Sequence, residues 1–474
     1  MLMGIKMRAY PTEEQKQVLS QWMGCARVIW NAKCEEWKYQ STYARKYLPV
    51  GTYADIDATY SLYKNQDFTP YLAKTPSQVL RNAANLWRDT MRDWMNPKHP
   101  QKSPAQRKKK KSEESVYLTS ELYEFVENSN GTLSLIIGTK KFPVGELKFT
   151  AHRDFKIPKS IRIKKKAGLW FLSFCYDDAL LEEELLSDKE ALKTFQQMSS
   201  EELQARVLGV DRGIAVACHT DITAYDLSPE AKAKRKKKER YLKSQQKRLA
   251  RQKKGSKRRE KTKGKISRAH GRIANVRDNF CHQTSHALTK TPGKVIVMED
   301  LKTSNMTRRA KPKQNEETGK WEKNNAAQKS GLNKSILSIG WHKLEQYTKY
   351  KARRRGSLLV KIAPQFSSQE CADCSHIHPD NRVSQAEFAC LACGHRDNAD
   401  HNAALVLKKR AINLLKHSGM ELSAKGVLSL VDTGRGVQSK TSKQKAKKQG
   451  LRSVKNDGGS RVPIPEAPAL YRAE

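Results

Sequence analysis

Residues 371–404 read CADCSHIHPDNRVSQAEFACLACGHRDNADHNAA, and this stretch decides the fold of the region around it. It holds two Cys-x-x-Cys pairs, Cys371/Cys374 and Cys390/Cys393, which are separated by fifteen residues. That spacing is typical of four thiolates that surround one zinc ion as a tetrahedron. Because all four ligands are cysteine, no coordination position stays open for water. We therefore predict a structural zinc ion rather than a catalytic one.

Asp400 follows the second cysteine pair and stands at the start of an apolar helical pattern. A carboxylate at a helix start, beside a folded zinc site, is held firmly enough to bind a second kind of metal ion. The alternative is that Asp400 only caps the helix that it begins. The apolar positions that predict this helix are Ala403, Ala404, Leu407, Ala411, Leu414 and Leu415.

The charge of the chain indicates a polyanionic partner. Across 474 residues the formal net charge is +42, and the Lys and Arg residues are spread widely rather than confined to one tail. No segment approaches the roughly 18 consecutive apolar residues of a membrane span, and the first residues lack the apolar run of a signal peptide. We therefore predict that the chain binds nucleic acid and no membrane.

The length of the chain limits the number of domains, and its cysteines indicate the cellular compartment. A chain of 474 residues predicts about two to four domains. Five of the nine cysteines lie outside the zinc pattern and are scattered, which fits a reducing compartment. We expect the protein to reside in the cytoplasm, at the nucleoid of a prokaryote.

The first half of the chain changes its pattern several times. Residues 4–10 predict a short strand, and residues 11–95 carry apolar side chains at helical spacing. A basic, proline-containing linker at 96–112 precedes short alternating runs at 115–178, which predict a small β-barrel or sheet. The acidic, leucine-rich stretch 181–205 predicts a helical connector.

The second half alternates apolar strands with helical segments. The stretch RVLGVDRGIAVAC at 206–218 predicts a buried strand that ends at Asp211, a glycine-containing turn and a second apolar strand. The stretch VIVME at 295–299 predicts another buried strand that ends in an acid. The basic block at 229–275 predicts either a long helical hairpin or a disordered insertion. The polar segment from 416 predicts a disordered tail.

Three acids stand out by their context, namely Asp211, Glu299 and Asp400. One acid at a strand end means little, but three acids within alternating strands and helices are what an RNase H-like sheet uses to bind two divalent metal ions. Such ions lie about 3.5–4 Å apart and cleave a phosphodiester bond in line. Hard oxygen ligands suit Mg²⁺ or Mn²⁺.

Each acid also has a structural alternative. Asp211 could cap a turn, and Glu299 could pair with a neighbouring basic residue. Asp300 and Asp397 are adjacent acids, and we predict only a supporting role for them. The zinc pattern and the positive charge favour the metal-binding interpretation of the three acids together.

Several motifs in combination closely resemble TnpB, a family of transposon-encoded, RNA-guided nucleases ancestral to the type V CRISPR effectors. These motifs are Gly209–Gly213 (GVDRG), Val297–Leu301 (VMEDL), Gln365–Cys371 (QFSSQEC), the second cysteine pair and Asn398–Ala404 (NADHNAA). The similarity covers roughly residues 1–415 and extends to Tyr10–Gln15, Gly24–Arg27 and Gly331–Ser335.

The resemblance implies a multidomain α+β fold. A β-barrel wedge domain, interrupted by a helical recognition domain, would precede an RNase H-like (RuvC) α/β nuclease domain with an inserted zinc ribbon. The implied limits are the wedge at 1–10 and 96–180, recognition helices at 11–95, the connector at 181–205, the nuclease at 206–370 and 397–415 with a basic helical insertion at 229–290, the zinc ribbon at 371–396 and a disordered tail at 416–474.

The resemblance also implies an activity. Asp211, Glu299 and Asp400 match the catalytic acid positions and would bind Mg²⁺ or Mn²⁺. The partner would be a guide RNA derived from the transposon end, bound by a monomer or a dimer. The substrate would be double-stranded DNA beside a short adjacent motif, with one strand displaced while base pairing selects the target.

Eight residues are predicted to contact nucleic acid. Gln78, Arg81 and Asn82 share a predicted helix and are residue types that contact base edges. The alternative for each residue is an ordinary solvated helix face. The residues predicted to contact phosphates are Arg27, Lys247, Arg248, Arg258 and Arg272.

Other functions remain open from the sequence. A compact type V CRISPR effector would use the same chemistry, although the length of 474 residues favours TnpB. A non-cutting RNA-guided repressor would have no reason to gather three carboxylates where phosphates must come. A DNA-joining transposase is a further alternative.

Overall fold

The computed structural model describes residues 2–47, 57–64, 66–97, 102–108, 114–127, 133–177, 186–315, 318–417, 420–423 and 426–430. Within these ranges the chain forms two units with β-sheets. The first unit ends at residue 177, and the second begins at residue 186. No helix in the described ranges combines the length and apolar content that crossing a membrane requires.

The first unit combines helices with two antiparallel sheets. Its helices are α1 (Glu13–Tyr39), α2 (Arg45–Tyr47), α3 (Ser61–Lys64) and α4 (Ser77–Met95), with short π or 3₁₀ turns at Gln40–Ala44, Pro70–Lys74 and Ser120–Leu122. Its strands are β1 (Leu2–Ala9), β2 (Glu114–Thr119), β3 (Tyr123–Glu127), β4 (Leu133–Thr139), β5 (Phe142–Leu147), β6 (Phe149–Thr150), β7 (Ser160–Lys166) and β8 (Leu169–Asp177).

The N-terminal strand belongs to a sheet whose other strands lie more than a hundred residues later in the chain. β1 pairs antiparallel with β8 from Leu2↔Asp177 to Ala9↔Trp170, in the sheet order β2-β7-β8-β1-β6. A second sheet, β3-β4-β5, shares one hydrophobic core with the first. The helices between β1 and β2 therefore interrupt a β unit.

A capping box fixes the start of α1. The Thr12 hydroxyl accepts a hydrogen bond from the backbone of Gln15, whose side chain in turn accepts one from the backbone of Thr12. The Gln15 amide also donates to the carbonyls of Val144 and Glu146 in β5. One glutamine therefore both begins the helix and attaches it to the second sheet.

The second unit contains the longest described helix, α8, and a mixed sheet. Its helices are α5 (Asp188–Gln196), α6 (Ser200–Arg206), α7 (Pro229–Arg251), α8 (Lys257–Leu288), α9 (Thr303–Met306), α10 (Ala326–Ile339), α11 (Trp341–Arg353) and α12 (Ala399–Lys416), with a 3₁₀ turn at Pro379–Asn381. Its strands are β9 (Val207–Asp211), β10 (Cys218–Thr220), β11 (Ala224–Tyr225), β12 (Val295–Glu299), β13 (Lys313–Gln314), β14 (Trp321–Glu322), β15 (Leu358–Ile362), β16 (Glu387–Ala389), β17 (Arg396–Asn398), β18 (Met420–Leu422) and β19 (Leu428–Leu430).

The mixed sheet has the strand order β11-β10-β9-β12-β15. β9, β12 and β15 are parallel, whereas β10 and β11 pair antiparallel beside them. One face packs against α5, α6 and α12, and the other face packs against α8 and α11. The carboxyl ends of parallel strands meet at one edge of a sheet, so the acids that end β9 and β12 lie side by side.

The described part of the predicted connector 181–205 has a second role. Leu192, Phe195 and Leu203, from α5 and α6, are buried in the same core as α12. The acidic, leucine-rich stretch therefore contributes to the packing of the mixed sheet. The sequence analysis predicted only a connector here and did not predict that α5 and α6 pack against the sheet.

The basic block forms a helical hairpin, the first of its two predicted alternatives. α7 and α8 are joined at Gly255, whose φ of +87° favours glycine, and Ser256 then caps α8. The far end of α8 is less polar, and its Phe280 and Cys281 are buried against the mixed sheet.

The predicted disordered tail 416–474 is corrected at its beginning. α12 continues to Lys416, and β18 and β19 then form a hairpin. Met420 and Leu428 of this hairpin are buried in the core beside α12, and the backbone nitrogen of Lys361 donates to the carbonyl of Gly426 at 2.7 Å. These apolar side chains order the start of the tail. Residues 431–474 lie outside the described residues.

Candidate active site at the edge of the mixed sheet

Two of the three predicted acids end neighbouring parallel strands. Asp211 is the last residue of β9, and Glu299 is the last residue of β12. The register pairs Val210 with Met298, which places the two acids next to each other in adjacent strands. Glu299 is 7% exposed, so its carboxylate is nearly buried at this edge.

The third acid comes from the first turn of α12. The backbone nitrogens of Asp400 and His401 donate to the side-chain oxygen of Asn398 at 3.0 and 3.2 Å, so Asn398 caps the helix. The alternative that Asp400 only serves as the cap is therefore wrong. Its Oδ2 lies 3.6 Å from the point where a Cβ on Gly213 would be, in the turn that follows Asp211.

Burial makes both Asp211 and Glu299 harder to ionise. Burial, followed by the charges of Glu299 and Asp400, raises the pKa of Asp211 from 3.8 to about 7. Burial also raises the pKa of Glu299, and a hydrogen bond from the Ser367 hydroxyl to its Oε1 at 2.8 Å opposes that rise. The charges of Arg212, Arg382 and Arg410 offset only part of these effects, and divalent cations would supply further positive charge.

The spacing of the acids does not form a cage for a single ion. Within the described ranges, the only group of three or more metal-binding side chains whose ligand atoms all lie within 4.8 Å of one another is the cysteine cluster. Asp211, Glu299 and Asp400 are therefore spread more widely than the ligands of one ion. A centre with two ions does not require all three carboxylates to contact the same ion.

Three residues that the sequence analysis missed hold the acids in place. Arg212 is 5% exposed and donates to the backbone carbonyl of Glu299. Arg382, from the segment between the cysteine pairs, donates to Oδ1 of Asp400 at 3.3 Å. With Ser367, these residues support Glu299 and Asp400, and the backbone N–H of Arg212 also donates to the carboxyl group of Asp211. An arginine directly after a buried strand was the only sequence signal for any of them.

The adjacent acids Asp300 and Asp397 each contact a nitrogen of another side chain. Asp300 accepts a hydrogen bond from the Lys361 ammonium at 3.0 Å. Asp397 lies 2.6 Å from Nδ1 of His401. These partners leave both acids in the supporting positions that the sequence predicts for them.

Close backbone contact at Gly209 determines where Asp400 lies. A Cβ on Gly209 would be 2.0 Å from the carbonyl oxygen of Ala404, so only glycine lets α12 approach β9 this closely. Asp400 is one helical turn before Ala404 on the same helix. The contact therefore sets the distance between Asp400 and Asp211.

Replacing Gly209 by alanine should separate the helix from the strand. We expect Gly209→Ala to lower the free energy of unfolding by about 3 kcal/mol, because neither backbone can yield without repacking. Urea unfolding of the purified protein measures this loss. Gly331→Ala is the matched control, since a Cβ there meets nothing within 4 Å and alanine favours the helix. An equal effect of both substitutions would contradict the proposed contact.

The four cysteines form one compact cluster. Sγ of Cys371 lies 3.6 Å from that of Cys393, and Sγ of Cys374 lies 3.5 Å from that of Cys390. Disulfide bonds are much shorter, at about 2.05 Å. Tetrahedral zinc with bonds of 2.3 Å separates its thiolates by about 3.8 Å. The cluster can therefore bind zinc as the sequence predicts.

The two cysteine pairs adopt the same local geometry. The nitrogens of Ser375 and Gly394 donate to the carbonyls of Cys371 and Cys390, both at 3.0 Å. Ser375 and Gly394 have positive φ angles of 63° and 76°, which turn the chain sharply after each pair. Because both pairs have this turn, all four sulfur atoms lie close together.

The cysteine cluster is attached directly to α12. Asn402 is fully buried, and its amide donates to the carbonyl of Glu370 at 2.7 Å and accepts from the nitrogen of Ala372 at 3.0 Å. The guanidinium of Arg410 also pairs with the carboxylate of Glu370. The segment that begins the cysteine cluster is thus fixed to the helix that carries Asp400.

The predicted nucleic-acid contacts have different surroundings. Asn82 is 6% exposed and points toward the carbonyl of Tyr117, so it is not available to an external base, and the prediction for it is wrong. Arg81 pairs with Glu121 at 2.6 Å, and Gln78 is half-buried. Arg27 is half-buried, whereas the exposed residues of this set are Lys247, Arg248, Arg258 and Arg272.

The raised pKa of Asp211 predicts how the stability of the protein depends on pH. A carboxyl that binds its proton more tightly when folded stabilises the fold below pH 3.8, and this contribution is lost as the pH rises through about 7. We expect the melting temperature of zinc-loaded protein without Mg²⁺ to fall between pH 5 and 8, and to fall less in Asp211→Asn. Parallel slopes for the two proteins would contradict the pKa assignment.

Three family models match separate parts of the chain. A helix-turn-helix domain model of the OrfB_IS605 family matches residues 1–42, the OrfB_IS605 model described as “Probable transposase” matches 191–310, and the Cas12f1-like TNB domain model matches 341–407. The first model covers β1 and α1, which are a strand and one long helix rather than two helices and a turn. The third model covers the cysteine cluster and Asp400.

The chain is also similar to whole proteins. It is 27% identical over 406 residues to “Putative RNA-guided DNA endonuclease InsQ” of Escherichia coli (strain K12), covering 85% of this chain and 90% of the relative. The predicted resemblance to TnpB is confirmed. A CRISPR-associated endodeoxyribonuclease, Cas12f1 of Sulfoacidibacillus thermotolerans, is 47% identical over 64 residues, which are 14% of this chain and 15% of that protein. The solved Cas12f1-sgRNA-target DNA complex aligns at 12% identity with a TM-score of 0.47, over 86% and 98% of the two chains.

Similarity to TnpB thus extends along most of the chain, whereas similarity to Cas12f1 is local. The Gly209–Gly213 and Val297–Leu301 motifs fall within the OrfB_IS605 match. Asp400 and the four cysteines fall within the TNB match. The motifs that indicated TnpB in the sequence are therefore the segments that the family models match.

Proposed function

We propose that the chain is an RNA-guided DNA endonuclease that hydrolyses phosphodiester bonds at a single RuvC-type site. The convergence of Asp211, Glu299 and Asp400 at one edge of the mixed sheet carries this proposal. A relative that aligns with 90% of its own length is named as an RNA-guided DNA endonuclease. The parallel strands β9, β12 and β15 beside an antiparallel pair support an RNase H-like fold for this unit.

The acids fit a divalent-metal centre. Their donors are carboxylate oxygens, which suit Mg²⁺ or Mn²⁺, and the raised pKa of Asp211 indicates a cluster short of positive charge. When bound, such ions would supply a nucleophilic hydroxide and stabilise the leaving 3′ oxygen. Ser367 and Arg212 orient Glu299, and Arg382 orients Asp400, so these ligands are held before substrate arrives.

The same proposal assigns a role to each of the other parts of the chain. The β unit of the first 177 residues would be the wedge domain, and α1 to α4 would be the recognition domain. The exposed cations of α7 and α8, which include Lys247, Arg248, Arg258 and Arg272, would contact the phosphates of a guide RNA or of its duplex with DNA. The zinc ribbon would be an insertion in the nuclease domain.

The observations favour TnpB over the other candidates. Sequence similarity to the CRISPR-associated relatives Cas12f1 and Cas12f2 spans 64 and 145 residues, whereas similarity to InsQ spans 406. A repressor that does not cut would not need three acids gathered at one edge of a sheet. The guide RNA would come from the transposon end, and the target DNA would lie beside a short adjacent motif in the cytoplasm.

The test combines RNA sequencing with a cleavage assay. The protein is expressed with the DNA that flanks its gene, and the RNA that co-purifies with it is sequenced. We expect one RNA that overlaps the transposon end, and Mg²⁺-dependent cleavage of DNA that matches a segment of this RNA. Heterogeneous cellular RNA, or cleavage that ignores the guide sequence, would overturn the proposal.

A further inference from the structure

His219 lies directly opposite Asp211 in the mixed sheet. The antiparallel register of β10 on β9 pairs these two residues, so their side chains leave the same face of the sheet. Side chains of such a pair have Cβ atoms about 4.5–5.5 Å apart. The ring of His219 also lies 5.8 Å from that of His401, the residue after Asp400. Two independent contacts thus place one imidazole beside the acids.

Hydrogen bonding determines which nitrogen of His219 is available. Nδ1 lies 2.9 Å from the carbonyl oxygen of Thr220. Because a carbonyl can only accept, Nδ1 carries the hydrogen, and the lone pair of the neutral ring is on Nε2. Within the described ranges Nε2 has no hydrogen-bond partner, and the ring is half-buried on the strand position opposite Asp211.

His401 differs from His219 in this respect. Its Nδ1 lies 2.6 Å from the Asp397 carboxylate, and its Nε2 lies 3.2 Å from the carbonyl oxygen of Asp221. Both nitrogens therefore face acceptors. Of these two rings, only that of His219 has a nitrogen that no described group occupies.

We propose that Nε2 of His219 is a nitrogen ligand of the divalent-metal centre, next to Asp211. This inference rests on the proposed function, because the acids provide the rest of the centre. A histidine ligand usually donates its other nitrogen to a carbonyl, as His219 does to Thr220. Imidazole favours later transition metals over Mg²⁺, so the centre would bind Mn²⁺ more tightly than a centre of carboxylates alone.

The chemical consequence is a preference among metals. Carboxylates alone suit Mg²⁺, and a nitrogen ligand adds affinity along the series from Mn²⁺ toward Co²⁺ and Ni²⁺. The centre is therefore predicted to discriminate against Mg²⁺ when both metals are present. A centre formed by the three acids alone would have only oxygen ligands, and His219 would add one nitrogen ligand to it.

The test uses Mn²⁺ as the probe and electron paramagnetic resonance as the readout. Full-length, zinc-loaded protein is freed of nucleic acid at high salt and titrated with Mn²⁺, and the bound ion is examined by electron spin echo envelope modulation. We expect modulation from one directly bound ¹⁴N nucleus in the wild type. His219→Ala should lose this modulation and raise the Kd for Mn²⁺ about tenfold or more.

Two variants sharpen the assignment. His219→Asp supplies an oxygen donor at the same position, so it should keep Mn²⁺ binding, lose the ¹⁴N modulation and bind Mg²⁺ more tightly relative to Mn²⁺. His342→Ala removes an exposed histidine on α11 and should keep the wild-type spectrum. Loss of the modulation in His342→Ala would overturn the assignment to His219.

The outcomes also separate this inference from the proposed function. Mn²⁺ binding that requires Asp211 but shows no ¹⁴N modulation would overturn only the role of His219. Mn²⁺ binding that is unchanged in both Asp211→Asn and His219→Ala would overturn the metal centre itself. A modulation that persists in His219→Ala would assign the nitrogen to another residue.

Discussion

Replacing Asp211 by asparagine is expected to lower the rate of DNA cleavage by at least about a thousandfold, with equal losses for Glu299→Gln and Asp400→Asn. Each change keeps the size of the side chain and removes one negative oxygen from the metal centre. Combined variants should lose little more than single ones, because residues that act as a unit are not additive. Cleavage of matched DNA by the RNA-loaded protein at saturating Mg²⁺ measures these rates.

The same variants should bind guide RNA as tightly as the wild type. RNA affinity depends on basic side chains elsewhere, and removing a buried negative charge does not weaken contacts with phosphates. Glu124→Gln is the matched control, since it neutralises an exposed acid on β3 in the other unit. Full cleavage by all three variants at the acids would show that the site has been placed wrongly. Loss of cleavage by the control would point to a general effect of charge.

Replacing Cys371 or Cys390 by serine is expected to release zinc and to lower cleavage by at least about a hundredfold. The cluster holds the segment that carries Arg382, and Arg382 holds the carboxylate of Asp400. Without the metal, the ribbon loses its only compact core, which consists of Cys371, Phe388, Cys390 and Ala399. Zinc content by mass spectrometry and cleavage rate should therefore fall together.

The control for this prediction is Cys175→Ser, which changes an exposed cysteine on β8. It should keep one zinc per chain and the wild-type rate of cleavage. RNA binding should persist in all three cysteine variants, because α7 and α8 do not depend on the ribbon. Unchanged zinc content in both Cys371→Ser and Cys390→Ser would refute the ribbon.

The parts of the site that depend on local pattern could be predicted from the sequence. Asp211 and Glu299 each end a short apolar run, and such runs form parallel strands whose ends meet. The cysteine spacing likewise predicts a cluster without knowledge of the fold. Both kinds of signal lie within a few residues of the side chains concerned.

The contacts that orient the site could not be predicted, because they join residues far apart in the chain. Ser367 reaches Glu299 across 68 positions, and Arg212 contacts the carbonyl of the same residue across 87. His219 gains its position from the register of β10, which the sequence analysis treated only as a second apolar strand. Asn82 resembles a base-contacting residue in the sequence, and only the packing against β2 shows that it is buried.

The side chain of Asn402 joins the two ends of the cysteine-containing segment. Its amide bonds to Glu370 and Ala372 where the segment leaves the sheet, and its backbone lies in α12 where the segment returns. The ends of the insertion are therefore held at a constant separation, whatever lies between them. In evolution or in protein engineering, the intervening loop can be shortened, lengthened or exchanged for another small module without changing the path of the chain into and out of the nuclease unit.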